Sequence, residues 1–466
     1  MKIGIVGTSY QERSLPFDAQ RLVNFYPVFD QTGKEVAALY GTPGLALFAT
    51  AGTGPIRGAF VATNERAFVV SSGALYEVFS DGTSTSRGSL LTTTGNVTID
   101  ENGTQLMICD GTYGYIFTYA TDAFAQISDG DFPSAGTMTF IDGYFVVNKN
   151  NSGAFYISDL NNGTAWDALD FATAESSPDN LVRVINAVGQ LWLFGTKTTE
   201  IWQNTGGSLF PFQRISGAAM GMGCYAAHTV IAIDNSVFWV GKDANGALIV
   251  FRAQGFTPSR ISTNSIEYYL QSSDLDSTLR AYTYQQDGHV FYVLTGGGLP
   301  TTLVYDISTQ MWHERAFLNT LGEYEQHLGC CGMYAFGKFL VGSRLNGKIY
   351  EMSLDIYDDD GFPLAADRVY THISQEDQRI RYSQLVIGCE TGVGNQSDPA
   401  QEPLISMRLS KDGARTWSNW YTTSMGKVGE YLGRVVFRRL GIAKMLTFHI
   451  RITDPVKRAI TGSYLS

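Results

Sequence analysis

The sequence predicts an all-β protein: a β-propeller of about seven blades over residues 55–355, a C-terminal β-sandwich-like domain over 356–466 and an irregular N-terminal segment over 1–54. Three observations predict it. A strand-turn-strand-turn-strand unit recurs about seven times at a spacing of roughly 40 to 50 residues, the range of propeller blades. Long amphipathic helices are absent, with only Thr263 to Leu270 and Asp274 to Ala281 showing helical character. Fifty glycines against 13 prolines supply many tight turns.

Each unit places a two-residue turn before a very apolar run. Asn64-Glu65 precedes Ala67 to Val70, Asn102-Gly103 precedes Leu106 to Ile108, and Asp142-Gly143 precedes Tyr144 to Val147. Val188-Gly189, Asp234-Asn235, Asp287-Gly288 and Phe336-Gly337 then precede Leu191 to Phe194, Val237 to Val240, Val290 to Val293 and Phe339 to Val341. Asn-Gly and Asp-Gly tolerate the positive φ that matches the twist of a hairpin. A third, aromatic-rich run follows each time, as in Ala74 to Val78, Glu200 to Trp202 and Lys348 to Tyr350. So many strands must hide their edges, and a closed ring of blades does so; two stacked sandwiches are the alternative that period alone leaves open.

Asp355 to Pro363 is acidic and turn-rich and reads as a linker or domain edge, and its run Asp358-Asp359-Asp360 reads as a solvated turn, since it lacks the spaced ligands and closing Glu of a calcium loop. Alternating runs at Ile380 to Cys389, Leu404 to Leu409 and Met445 to Thr453 form the C-terminal β domain. The first 54 residues carry Pro16, Pro27 and Pro43 and little period, so they are expected to wrap another domain or a neighbouring subunit.

Composition excludes several classes of function. Hydrophobic residues at 44% of the 466 and charged residues at 17% indicate a folded chain with a large core. A net charge of −11 argues against a protein that coats nucleic acid. Five cysteines without C-x-x-C spacing and six scattered histidines support neither a disulfide framework nor a zinc site, so no metal or cofactor is expected. No run of 18 apolar residues exists and the start lacks an apolar leader, so neither a membrane anchor nor export is expected. The opening Gly4 and Gly7 do not make a dinucleotide-binding G-x-G-x-x-G.

The sharpest local motif is Ser410-Lys411-Asp412-Gly413-Ala414-Arg415-Thr416-Trp417, which resembles the Asp box of sialidase-type propellers. In such a box the Ser and Asp tie down a hairpin turn and the Trp packs beneath, a structural role for Ser410, Asp412 and Trp417. Ala414 stands where that motif has Gly. A sialidase would further need an arginine cluster and a Tyr-Glu nucleophile pair, which the sequence does not display, and no G-x-S-x-G elbow is present. The chain is therefore not expected to be an enzyme. From Gly426 to Ile460 eight Lys or Arg face only Glu430 and Asp454, a local charge of +6 that leaves −17 for the rest. Arg434, Arg438, Arg439, Lys444 and Arg451 in this stretch are a candidate assembly surface, or else an ordinary polar strand face.

The same stretch carries a family likeness. Gly426 to Tyr431, Arg434 to Gly441 and Phe448 to Val456 resemble the packaged-DNA stabilisation proteins, or tail nozzle subunits, of short-tailed bacteriophages. Ala174 to Asp179, Phe194 to Trp202 and Gly41 to Gly44 are similar in the same order. The resemblance implies a homo-oligomeric ring of six copies in the virion tail, assembled in the host bacterial cytoplasm and attached beneath the portal and its head-to-tail adaptor. A tail needle or tip and fibres or spikes would dock nearby, and double-stranded DNA would pass without sequence recognition. Two rivals remain at this point: a propeller glycosidase of sialidase type and a host-glycan-binding tail module.

Overall fold

The computed structural model describes the chain except residues 8, 12–13, 16–17, 31–35, 175–176, 208–209, 244, 376–377 and 396–398. Pro16 and the Glu175-Ser176 pair of the family likeness lie outside the described residues.

Seven four-stranded antiparallel blades stand in chain order, the number that the hairpin spacing predicts. Blades 1 to 6 occupy residues 56–89, 98–126, 135–173, 181–220, 231–260 and 280–318. Blade 7 takes three strands from residues 329–353, and its fourth, Gly44–Thr50, comes from before blade 1. The first strands of successive blades touch in turn, and Gly329–Ala335 of blade 7 lies against Ile56–Val61 of blade 1, so the ring is closed. A separate apolar core fills each gap between blades. Phe68, Leu106 and Phe117 lie between blades 1 and 2, Phe194 and Trp239 between 4 and 5, and Ala49, Val69, Leu340 and Ile349 between 7 and 1. Because each blade is covered only by its neighbours, closure leaves no sheet face in water.

The turns between first and second strands follow the sequence reading closely. Asp142-Gly143, Asp234-Asn235 and Asp287-Gly288 hold positive φ at both residues, as a hairpin of this twist requires. Val188 and Phe336 do the same beside Gly189 and Gly337. For a β-branched residue such as Val188 that conformation is strained.

The prolines of the N-terminal segment do not leave it irregular, for its described residues contribute six short strands. Phe25–Phe29 and Ala37–Gly41 continue one sandwich sheet beside Ala459–Leu465, Ile380–Cys389 and Val435–Ala443, and Lys2–Ile3 pairs with Ala459–Leu465. The facing sheet runs Ala19–Val23, Ala366–Val369, Met445–Ile452, Leu404–Ser410 and Tyr421–Ser424. Ile3, Ile5, Leu22, Phe25 and Leu39 pack in the same core as Leu385, Met407, Phe437, Phe448 and Ile450. The sandwich is thus built from both ends of the chain.

Ala19–Val23 also pairs on its other side with Met311–Leu318, the outer strand of blade 6. One continuous sheet therefore runs from propeller to sandwich. Asn24, fully buried at φ +54, closes this seam. Its Nδ2 donates to the carbonyls of Ala316 (2.8 Å) and Ala365 (2.7 Å), and its Oδ1 accepts from the Ala316 N–H (3.0 Å).

Two local expectations are corrected. Only the first helix forms, over Asn264–Ser272. Asp274 to Leu279 is a loop with a turn, because Asp276 captures the N–H and hydroxyl of Thr278 and Leu279 plugs the core between blades 5 and 6, and Arg280 and Ala281 already begin blade 6. Asp358 to Asp360 is not a solvated turn either. Asp358–Asp359 lies beside Gly44–Thr50, Asp359 is fully buried, and Asp360 binds Lys348 at 2.5 Å. Burial pushes the Asp359 carboxyl up to about 7, with Arg315 and Arg458 opposing.

Asn24→Ala should lower stability by about 3 kcal/mol, since it strands three buried backbone groups and puts Ala at positive φ. Chemical denaturation measures this; a loss within about 0.5 kcal/mol, the range of an ordinary surface change, would show that the seam does not depend on Asn24.

Candidate functional site

The Asp-box sequence forms the connection between Leu404–Ser410 and Tyr421–Ser424. Ser410 Oγ donates to Asp412 Oδ1 at 2.7 Å and accepts from the Ala414 N–H at 2.9 Å. Asp412 also accepts from the N–H groups of Arg415 and Thr416 and, at 2.6 Å, from the Thr416 hydroxyl. These bonds, the Thr416 hydroxyl first, hold its carboxyl down to about 2. Ala414, at the motif's glycine position, has φ +63, the left-handed conformation that Gly adopts at no cost.

Trp417 and Trp420 flank Arg408, whose guanidinium lies 4.9 and 4.7 Å from their ring centres. Arg408 Nε donates to His449 Nδ1 at 3.0 Å. An arginine can only donate, so Nδ1 is the acceptor and His449 Nε2 carries the proton it shares with Asp367 at 2.9 Å. Asp367 also receives a two-point fork from Arg451, 2.8 Å at each oxygen. Arg451 in turn lies 5.4 Å from the ring centre of Tyr324, which Arg21 approaches from 6.0 Å. Arg21 binds Glu314 of blade 6 at 2.5 Å, and Ser9 donates to the same carboxylate. The result is a chain of charged and aromatic groups across the seam made by Ala19–Val23, beside a cavity of about 150 Å³ lined by Arg21, Asp367, Arg408, Trp417 and His449.

The electrostatics fit a structural joint. Burial works to raise the Asp367 carboxyl, but His449 and Arg451 outweigh it and hold it well below the usual range. Burial holds His449 below its ordinary value against the pull of Asp367, so the ring is neutral. Glu314 raises the Arg21 guanidinium further. The carboxylates are satisfied and the histidine is locked between a donor and an acceptor, an arrangement that fixes geometry.

The basic residues divide. Arg451 does not belong to the surface proposed for it, because its guanidinium is committed to Asp367 and to the rings of Tyr324 and Trp420. Arg434, Arg438, Arg439 and Lys444 are exposed. Arg438 and Arg439 sit in Val435–Ala443, which among the described residues is the edge of its sheet and pairs on one side only, with Ile380–Cys389. A bulge there, with Arg439 at φ +63, turns both arginines outward in succession. Just before the strand, Tyr431 is 72% exposed and Leu432 98%.

Sequence reasoning misses Arg21, Glu314, Tyr324, Asp367 and Arg408 as parts of one network. Arg21 and Glu314 are 293 residues apart and carry no local pattern. Among the described residues, no three His, Cys, Asp or Glu side chains gather as metal ligands and no helix is long and apolar enough to cross a membrane.

Comparison with known proteins decides the family. A model described as the β-propeller of bacteriophage P22 Gp10 matches residues 1–357, and one described as its β-sandwich matches 367–466. The chain belongs to the bacteriophage P22 Gp10 family. It is therefore a phage structural protein of the Gp10 type, and the strands before Gly44 fall within the span of the Gp10 propeller although they pair in the sandwich. No curated protein matches. Solved structures similar to this Gp10-family chain include the extracellular domain of the putative one component system BT4673 from B. thetaiotaomicron, at 9% identity and TM-score 0.45 over 86% of this chain and 48% of that one. The N-terminal domain of Nup159 is 9% identical, with TM-score 0.42 over 71% and 98% of the two chains. The WD40 propeller domain of Doa1 is 11% identical, with TM-score 0.40 over 66% and 97%. The chain thus spans about half the length of the first of these.

The joint should loosen in acid. Both Asp367 and His449 have folded values depressed below the unfolded ones, so they bind fewer protons folded than unfolded and contribute stability that is lost as pH falls. The His449 share is present above about pH 6.5 and the Asp367 share above about pH 4. Gln at 449 can keep both hydrogen bonds without titrating, so His449→Gln should lose less melting temperature than wild type between about pH 6.5 and 5. Equal slopes in the two proteins would show that His449 does not couple the joint to pH.

Proposed function

We propose that the protein is a tail nozzle subunit of a short-tailed phage, forming a ring of six copies that closes the DNA exit channel beneath the portal and its adaptor. The observation that carries this reading is the bulged, basic edge strand Val435–Ala443 beside the exposed Tyr431 and Leu432. Apolar side chains so exposed, next to outward arginines, suit a partner surface with its own apolar and acidic groups. The rest of the chain, at −17, supplies the complementary sign, and opposite local charges on one subunit suit a head-to-side ring. An acidic body also lets DNA slide past without sticking. The seam supports the same reading, since a wall that resists packaged DNA gains from propeller and sandwich sharing one sheet. A tail needle or tip would meet the ring distally, with fibres or spikes alongside, and the protein acts in the virion tail as a wall with no chemistry of its own.

Bulges and outward charges also protect sheet edges from aggregation, and the test separates the two roles. Arg438→Glu combined with Arg439→Glu should leave the melting temperature of the isolated chain within a few degrees, as for surface changes of about 0.5 kcal/mol. The double variant should fail to enter tails, giving heads that fill with DNA and then lose it. Intact tails that retain the genome would reduce these arginines to edge protection.

A further inference from the structure

The axis of the propeller holds an unusual charge arrangement. A cavity of about 240 Å³ is lined by the first strands of several blades, and Arg57, Arg183, Arg280 and His228 face it with Thr98, Thr283 and Cys331. Among the described residues, none of the three arginines has a carboxylate within salt-bridge distance. Arg57 spends its donors on the carbonyls of Ser72, Thr94 and Gly95 and on both oxygens of Thr92. Arg280 binds the carbonyls of Ile56 and Arg57, each at 2.9 Å, and the Cys330 thiol at 3.0 Å. These bonds fix both cations in place without a direct carboxylate partner, although Asp110 acts on Arg57 from farther off and Arg280 helps to lower the Cys330 thiol.

Arg183 differs from them. Its Nε and Nη1 are buried and have no hydrogen-bond partner. The carboxylate that acts on it is Asp100, which is itself occupied by the N–H groups of Phe140 and Glu101 and the Thr139 hydroxyl. His228, which lines the same cavity, is held well below its ordinary value, first by burial and then by Arg183 and Arg280, so it adds a neutral ring. Burial also lowers Arg183 itself, to about 10. A buried guanidinium with open donors is costly unless a counter-charge completes it.

We propose that this axial cavity is a binding site for a small tetrahedral oxyanion of the phosphate or sulfate class, with Arg183 donating to it directly and Arg57 and Arg280 supplying the surrounding positive field. The volume equals that of about eight liquid waters, room for one such ion with part of its hydration. Charged hydrogen bonds from arginine to an oxyanion are among the strong ones. A cationic ligand would meet three arginines that, among the described residues, have no carboxylate in direct contact.

The test is calorimetric titration of the full-length chain with sodium phosphate in chloride buffer at constant ionic strength. Wild type should bind saturably at one site, and Lys149→Gln, an exposed change on blade 3, should bind equally well. Arg183→Gln should bind at least about tenfold more weakly, the scale of one lost charged hydrogen bond. If Arg183→Gln does not fold, Arg183→Lys, which keeps the charge and gives up the planar donors, should still bind measurably but more weakly than wild type. No saturable binding by wild type, or equal affinity in the Arg183 variants, would overturn the site. A single-stranded oligonucleotide that binds where phosphate does not would overturn it too, by moving the contact to a polymer surface.

Discussion

The strand Ala19–Val23 is the constraint on which the rest of the structure depends. It pairs with blade 6 on one side and with the sandwich on the other, and the groups around it are satisfied only when both are present. Arg21 reaches Glu314 of the propeller, while Asn24 bonds Ala316 on one side and Ala365 on the other. Downstream, the same segment leads to Gly44–Thr50, which completes blade 7 and closes the ring. A single stretch of about 50 residues thus supplies the ring's closing strand, part of the sandwich core and the seam between them.

That placement makes the two halves mechanically dependent. Sequential propeller blades cover one another, but the last face needs the N-terminal strand, and the N-terminal strands are held in turn by the C-terminal sheets. Charge follows the same logic. Inside the seam the carboxylates of Asp367 and Glu314 are each paired with an arginine, whereas Arg438 and Arg439 are exposed on the edge strand. The first arrangement fixes a shape and the second offers a surface, which together suit a phage structural subunit.

Much of the propeller was legible because its second and third strands are buried on both faces and show as apolar runs after positive-φ turns, such as Val237 to Val240 after Asp234-Asn235. The fourth strands were not. Ser84–Ser89, Ala123–Gln126 and Thr257–Arg260 are the outermost of each blade, mostly half-buried or exposed, and carry no apolar signal. Of the sites, the Ser410-Asp412 turn was legible because every bond in it is local, within four residues. The seam network was not, since Asp367 and its partners His449 and Arg451 meet only after the sheets form. Counting charges along the chain grouped Arg451 with Arg438, but strand register, which counting cannot see, turned one inward and the other out.

The most direct test of this account is calorimetric unfolding of the full chain beside a variant that lacks residues 1–43, which retains the closing strand of blade 7 but has neither seam nor N-terminal sandwich strands. The account predicts one cooperative transition for the full chain. For the shortened chain it predicts a propeller that still melts as a unit, together with a sandwich whose amides exchange freely at ambient temperature. Two well-separated transitions in the full chain, or a protected sandwich in the shortened one, would contradict the claim that a single N-terminal strand joins the two halves.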